Sequence, residues 1–219
     1  MRESALRGSG RVRKRNEALI LAASEALFAE HGFKGTSVAM IAARAGLPKA
    51  NLHYYFGSKQ ALYKAVLQRI LQSWQESLDR LGAEDDPAQS LPRYIRERLE
   101  FSWRHPDAAR VFAMEMISGG SCMEELLGNE FQHWFAGRVD LVSCWVAGGK
   151  IAPVEPVQLM LLLCSSIQHY TGFVAQIASC LGLRAYEEQS LNDMCATLTT
   201  IILKGCGAGP EGARQSHAK

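Results

Sequence analysis

Apolar positions along the chain recur with helical spacing, and no strand-like alternation persists. After a Gly/Ser/Arg-rich start, expected to be a disordered basic arm over residues 1–10, Leu19, Ala22, Ala23, Ala26 and Leu27 mark one face of a first helix. Gly32 predicts its end, because glycine accepts the left-handed conformation that closes a helix. Thr36 or Ser37 can cap a second helix with Val38, Ile41 and Ala42 as its apolar stripe, and Gly46 closes it. Pro48 suits the first turn of a short third helix carrying Leu52 and Phe56 inward. Ser58 opens a long fourth helix with Leu62, Val66, Leu67, Ile70, Leu71, Trp74 and Leu78 inward.

The remainder also reads as helices. Asp86-Pro87 starts one through Trp103, and His105-Pro106 starts another through Met116. A third covers Glu124 to Val146, a fourth runs from Glu155-Pro156 to Leu181, and the last spans Glu187 to Lys204. The expectation is an all-α chain of about nine helices. It divides into a helix-turn-helix domain at 11–57, a second helical domain at 58–205 for effector binding and dimerisation, and a disordered tail at 206–219. The helix starting at Pro156 is apolar on more than one face, through Met160–Cys164 and the Ile167, Tyr170, Val174, Ile177 series. Burial on both sides follows, against its own core and a partner copy, so the last two long helices are the expected homodimer interface.

Helices two and three have the dimensions of a helix-turn-helix, roughly eight residues, a glycine turn and roughly eight more. Outward positions on the third are Pro48, Lys49, Ala50, His53 and Tyr54, which are small, cationic or hydrogen-bonding, as a helix in a major groove requires. Thr36, Ser37, Tyr54 and Lys59 lie at helix ends, where hydroxyls and amines can hold phosphates. Charge sharpens this picture. Residues 1–64 hold eleven Lys/Arg against four Asp/Glu, a net of +7, whereas residues 65–219 carry thirteen against eighteen, a net of −5. A polyanion met only by the N-terminal part explains the split, with Arg11 and Arg13, just after the basic arm, contributing. Double-stranded DNA is the expected partner, and a two-fold dimer would read a pseudo-palindromic operator.

The block from Ala18 to Val66 contains F-x-x-x-G-F-x-G-T-S, I-A-x-x-A-G-L and N-L-x-Y-Y-F-x-S-K-x-x-L-Y in order and spacing, and it resembles the DNA-binding domain of TetR-type repressors. The resemblance implies an all-helical homodimer in which Thr36, Lys49, Tyr54 and Lys59 contact DNA, while Tyr55 and Phe56 are structural. Further segments, S-W-x-x-x-L, Y-I-R-x-R-L-E, R-V-F-A-M-E-M, W-V-A-G-G-K-I-A-P-V-E-P and S-I-Q-H-Y, are similar to the pyrimidine-responsive, Rut-type branch. That similarity implies a uracil, thymine or degradation-product effector, control of pyrimidine catabolism or nitrogen supply, and a pocket holding Trp74 and Gln168. The branch has a second tryptophan where this chain has Cys164, which leaves more room. A flat tryptophan face and an amide that both donates and accepts suit an imide ring. Cys164 and Tyr170, on the helix of Gln168, complete the candidate ligand set. A regulator of another pathway, with a different effector or none, is the alternative.

Other chemistries find little support. The six cysteines form no CxxC or Cys/His cluster, so neither a zinc site nor a disulfide framework is indicated, and they read as small buried hydrophobes. There is no nucleophile elbow, phosphate loop or metal-ligand spacing, so no enzyme and no cofactor is expected. No apolar run reaches the roughly 18 residues of a membrane span, and no export signal is evident, so the expected location is cytoplasmic.

Overall fold

The first helix, α1 (Arg2–Gly35), bends at Gly32, whose φ of 68° no side chain would adopt without strain. The computed structural model describes residues 2–182 and 188–208, with the backbone alone described for 2–9, 174–175 and 188. Helical structure from Arg2 replaces the disordered arm expected over 1–10. Arg2, Glu3, Ala5, Leu6 and Arg7 are good helix formers and no proline intervenes, which offsets the cost of Gly8 and Gly10.

Next come α2 (Val38–Ala45) and α3 (Lys49–Phe56). Between them Gly46 is left-handed, and the N–H groups of Gly46 and Leu47 donate to the Ala43 and Ala42 carbonyls, closing α2 tightly enough to turn the chain. The fourth helix, α4 (Lys59–Leu78), starts as expected at Ser58, whose Oγ accepts from the Ala61 N–H at 3.1 Å. Then follow α5 (Pro87–Arg104), α6 (Pro106–Ile117), α7 (Ser121–Leu126), α8 (Asn129–Ala147), α9 (Pro156–Gly172), α10 (Val174–Cys180) and α11 (Glu188–Gly205). The described residues are all-helical with eleven helices rather than about nine. One expected helix divides at Leu127-Gly128 and another at Phe173, where φ −122° and ψ 27° leave the helical region.

Two compact units result. Residues 1–71 and 110–126 form one, and 72–109 with 127–219 form the other, so the segment carrying α7 belongs with the N-terminal helices rather than with a contiguous 58–205 domain. Glu115 explains the recruitment. Its buried carboxylate accepts from the Tyr63 hydroxyl at 3.1 Å and from the N–H groups of Cys122 and Met123 at 2.8 and 3.1 Å, capping α7 and joining it to α4. The first unit is built around Ile20, Leu27, Phe28, Ile41, Leu62, Val66 and Leu67. The second is built around Leu91, Ile95, Leu99, Trp145, Leu163, Ile167 and Ile202.

The tail expected from 206 is ordered over its first residues. Cys206 and Ala208 are buried, and the Cys206 carbonyl accepts from the Ala152 N–H at 2.7 Å, which satisfies an end of α11. Residues 209–219 lie outside the described residues. Of the cysteines, Cys195 and Cys206 are buried as expected, but Cys144 and Cys180 are exposed. Among the described residues, no helix is long and apolar enough to cross a membrane.

Candidate DNA-binding surface and effector site

On α3 the exposed face carries Lys49, Ala50, His53 and Tyr54, while Leu52 is buried against the unit's core. Residues three and four apart share a helix face, so Lys49, Ala50, His53 and Tyr54 form one stripe, and it is the exposed one. Tyr54 is 76% exposed. Tyr55 is held instead, with its hydroxyl accepting from Asn16 Nδ2 of α1 at 3.2 Å, consistent with a structural role. The His53 Nδ1 lies 3.1 Å from the Gly57 carbonyl, which requires the proton on Nδ1. In the neutral ring Nε2 is then an acceptor, suited to a base amino group rather than to a phosphate.

The ends of α1 and α2 divide the remaining candidates. Ser37 is exposed and caps α2, with its Oγ accepting from the Met40 N–H at 3.2 Å. Thr36 is only 1% exposed, and its hydroxyl is shared between the carbonyls of Leu27 at 3.0 Å and Gly32 at 2.8 Å. A hydroxyl so placed has no donor left for a phosphate, so Thr36 belongs to the turn and not to the DNA-contacting set. Lys59 also turns inward. Its Nζ donates to the Phe33 and Thr36 carbonyls at 2.8 and 3.0 Å and lies 4.3 Å from the Phe33 ring centroid. It fixes the junction that aims α2 and α3, which is a positioning role. Arg11 and Arg13 are exposed on α1, and Arg13 Nε donates to Glu17 at 2.8 Å.

In the second unit, Trp74 meets a residue that the sequence reading passed over. Arg98 of α5 is 5% exposed, and its guanidinium carbon sits 4.5 Å from the Trp74 ring centroid. Tyr94, one turn earlier on α5, interacts with Arg98 and with Cys164 of α9. Burial pushes the Tyr94 hydroxyl and the Cys164 thiol above their ordinary pKa ranges. Gln168 follows Cys164 by one turn on the same face of α9. Its Oε1 and Nε2 are both buried without a hydrogen-bond partner, and so is Nη1 of Arg98. Buried polar atoms in folded proteins are overwhelmingly hydrogen-bonded. Ser77 Oγ, Ser90 Oγ and Arg138 Nε are likewise unpartnered, but Arg98 and Gln168 each adjoin Cys164, one through contact and the other one turn along α9. Tyr170 stands apart: it lines a cavity of about 220 Å³ with Leu99, Ser102, Trp103, Leu191 and Met194. The only sequence cue to Arg98 was the Y-I-R-x-R-L-E segment itself, in which Arg96 and Arg98 look alike. Arg96 is exposed and donates to Asn192 at 3.1 Å.

Comparison with known proteins agrees with both halves. Residues 20–66 match the family model described as bacterial regulatory proteins of the tetR family, and residues 67–209 match that of the YcdC-like protein C-terminal region. The HTH-type transcriptional regulator RutR of Escherichia coli (strain K12) is 36% identical over 186 residues, covering 85% of this chain and 88% of RutR. The HTH-type transcriptional repressor SCO4008 of Streptomyces coelicolor is 26% identical, covering 93% and 91%. Among solved structures, SCO4942 from Streptomyces coelicolor superposes with a TM-score of 0.69 at 25% identity, covering 88% of this chain and 98% of that one. Helix-turn-helix geometry, an outward polar face on α3 and matches over nearly the whole chain converge: this protein belongs to the TetR family and is a transcriptional regulator, not an enzyme.

Proposed function

We propose that this chain is a homodimeric repressor that leaves its operator when a pyrimidine, or a product of pyrimidine breakdown, binds beside Trp74 and Gln168. One observation carries the reading: the Gln168 amide is buried with both its donor and its acceptor unmet. An imide edge offers the reciprocal acceptor and donor at matching spacing, and Trp74 supplies a flat apolar wall. Similarity to the pyrimidine-responsive branch, and 36% identity to RutR, support the assignment.

DNA contact falls to Lys49, Ala50, His53 and Tyr54 of α3, with Ser37, Arg11 and Arg13 flanking. Dimerisation falls to α9 and α11. Leu161, Leu162 and Ile201 are 49%, 52% and 60% exposed in the single chain, an apolar surface that a partner copy would cover. A two-fold dimer presents two α3 helices about 34–36 Å apart to successive major grooves. Residues of α4 belong to both units, so a ligand that favours one tilt of this helix alters that separation. The shift is limited to the ligand's differential affinity for the two states. The protein acts in the cytoplasm, on genes for pyrimidine catabolism or nitrogen supply. Cys164, smaller than the branch's tryptophan, favours a bulkier ligand than uracil and keeps open a regulator of another pathway.

The test is operator release by uracil, thymine and dihydrouracil in a mobility-shift assay, with Trp74→Ala and Gln168→Ala as controls. Release by a pyrimidine that both substitutions abolish is expected. Release that survives both would reject this site.

A further inference from the structure

Arg98 raises a question that a neutral pyrimidine does not answer. Its guanidinium is 5% exposed, stays charged at any working pH and has an unpartnered Nη1. Among the described residues no carboxylate is paired with it; the groups that act on it are Tyr94 and Cys164. Both are held protonated by burial, so neither supplies a negative charge. Its stacking on Trp74 is a cation–π contact, which offsets part of the cost of desolvating the charge. Burying a charge without a counter-charge costs more than one such contact returns, so a deficit remains. A purely structural role would be met better by an apolar side chain of similar length.

We infer that the effector is an anion: a planar imide or ureide bearing an ionised acid group, with the acid against Arg98, the amide edge against Gln168 and the flat face against Trp74. The inference rests on the reading that the effector binds at this site, and it narrows the ligand class. A neutral ring would meet Gln168 but leave the guanidinium uncompensated. A carboxylate supplies both the charge and the acceptor atoms that Nη1 lacks, in a charge-assisted hydrogen bond. Orotate, which is uracil carrying a carboxylate, and N-carbamoyl-β-alanine, an opened ureido acid, have this chemistry. Uracil has the amide edge without the charge, and benzoate has the flat face and the charge without the amide edge.

Calorimetric titration of the full-length protein with these four compounds decides the matter. Orotate or N-carbamoyl-β-alanine should bind at least about tenfold more tightly than uracil, as one charged hydrogen bond implies. Arg98→Met should erase that preference while leaving uracil binding within about threefold, and Arg98→Lys should retain most of it. Should Arg98→Met fail to fold, the wild-type ranking and Arg98→Lys still decide. Uracil binding as tightly as both anions would overturn this inference and leave the pyrimidine reading intact. Benzoate binding without uracil or orotate would overturn both, because the amide edge would then play no part. Binding of none would overturn both.

Discussion

The two units treat their buried polar groups in opposite ways. In the first, the buried polar side chains are satisfied within the fold, and so is the half-buried Lys59. Ser24 donates to the Ile20 carbonyl at 2.7 Å, Thr36 to Leu27 and Gly32, Lys59 to Phe33 and Thr36, and Glu115 accepts three bonds. In the second, Ser77, Ser90, Arg98, Arg138 and Gln168 keep unpartnered side-chain atoms in the interior. A DNA-reading unit holds its helix-turn-helix rigid, so its interior is complete and its unsatisfied groups lie on the surface. The proposed ligand would complete the pair at Arg98 and Gln168.

Substitutions can break this contrast. The largest effect is expected from Glu115→Ala, which strands the Tyr63 hydroxyl and two N–H groups of α7 and should lower stability by about 3 kcal/mol in urea denaturation. A loss under about 1 kcal/mol would show that the cluster is dispensable. Thr36→Val should cost about 2 kcal/mol by leaving its two carbonyl partners without the hydroxyl, yet leave the operator affinity of the folded protein unchanged. A Thr36→Val protein of normal stability and weakened DNA binding would return Thr36 to the contact surface. Lys49→Ala is the mirror image: unchanged thermal midpoint, about tenfold weaker operator binding and a shallower salt dependence by about one charge. Gln168→Met should have the smallest effect on stability, and of opposite sign, neutral or stabilising by up to about 1 kcal/mol, because it removes an unsatisfied amide while keeping the volume. The same variant should lose its effector response. A loss of more than about 2 kcal/mol would mean the amide is satisfied within the protein.

How much of this was legible in the sequence differs between the sites. Helical spacing places Lys49, Ala50, His53 and Tyr54 on one face opposite Leu52, and the structure leaves all four exposed. Caps were equally readable at Ser37 and Ser58, because an N-cap is decided within three residues. Thr36 and Lys59 were misjudged because their partners lie far along the chain: Leu27 is nine residues from Thr36, and Phe33 is twenty-six from Lys59. Position at a helix end says that a polar side chain will find a backbone group, and does not say whether that group is protein or phosphate. The break at Phe173 was marked only by Gly172, a signal outweighed by the apolar series that continues through Val174 and Ile177.

By itself the sequence determined the all-helical class, the helix-turn-helix and the family, since these depend on local periodicity, caps and motif spacing. It also singled out Gln168 as an amide on an apolar helix. Only the tertiary structure decided that Arg98 is the buried arginine and Arg96 the solvated one, and that Trp74 and Cys164 meet at Arg98 while Tyr170 lines a cavity with Leu99 and Met194. The physical reason is burial by elements distant in sequence. A period of 3.6 states which residues share a face, but the energy of a charge on that face depends on what packs over it.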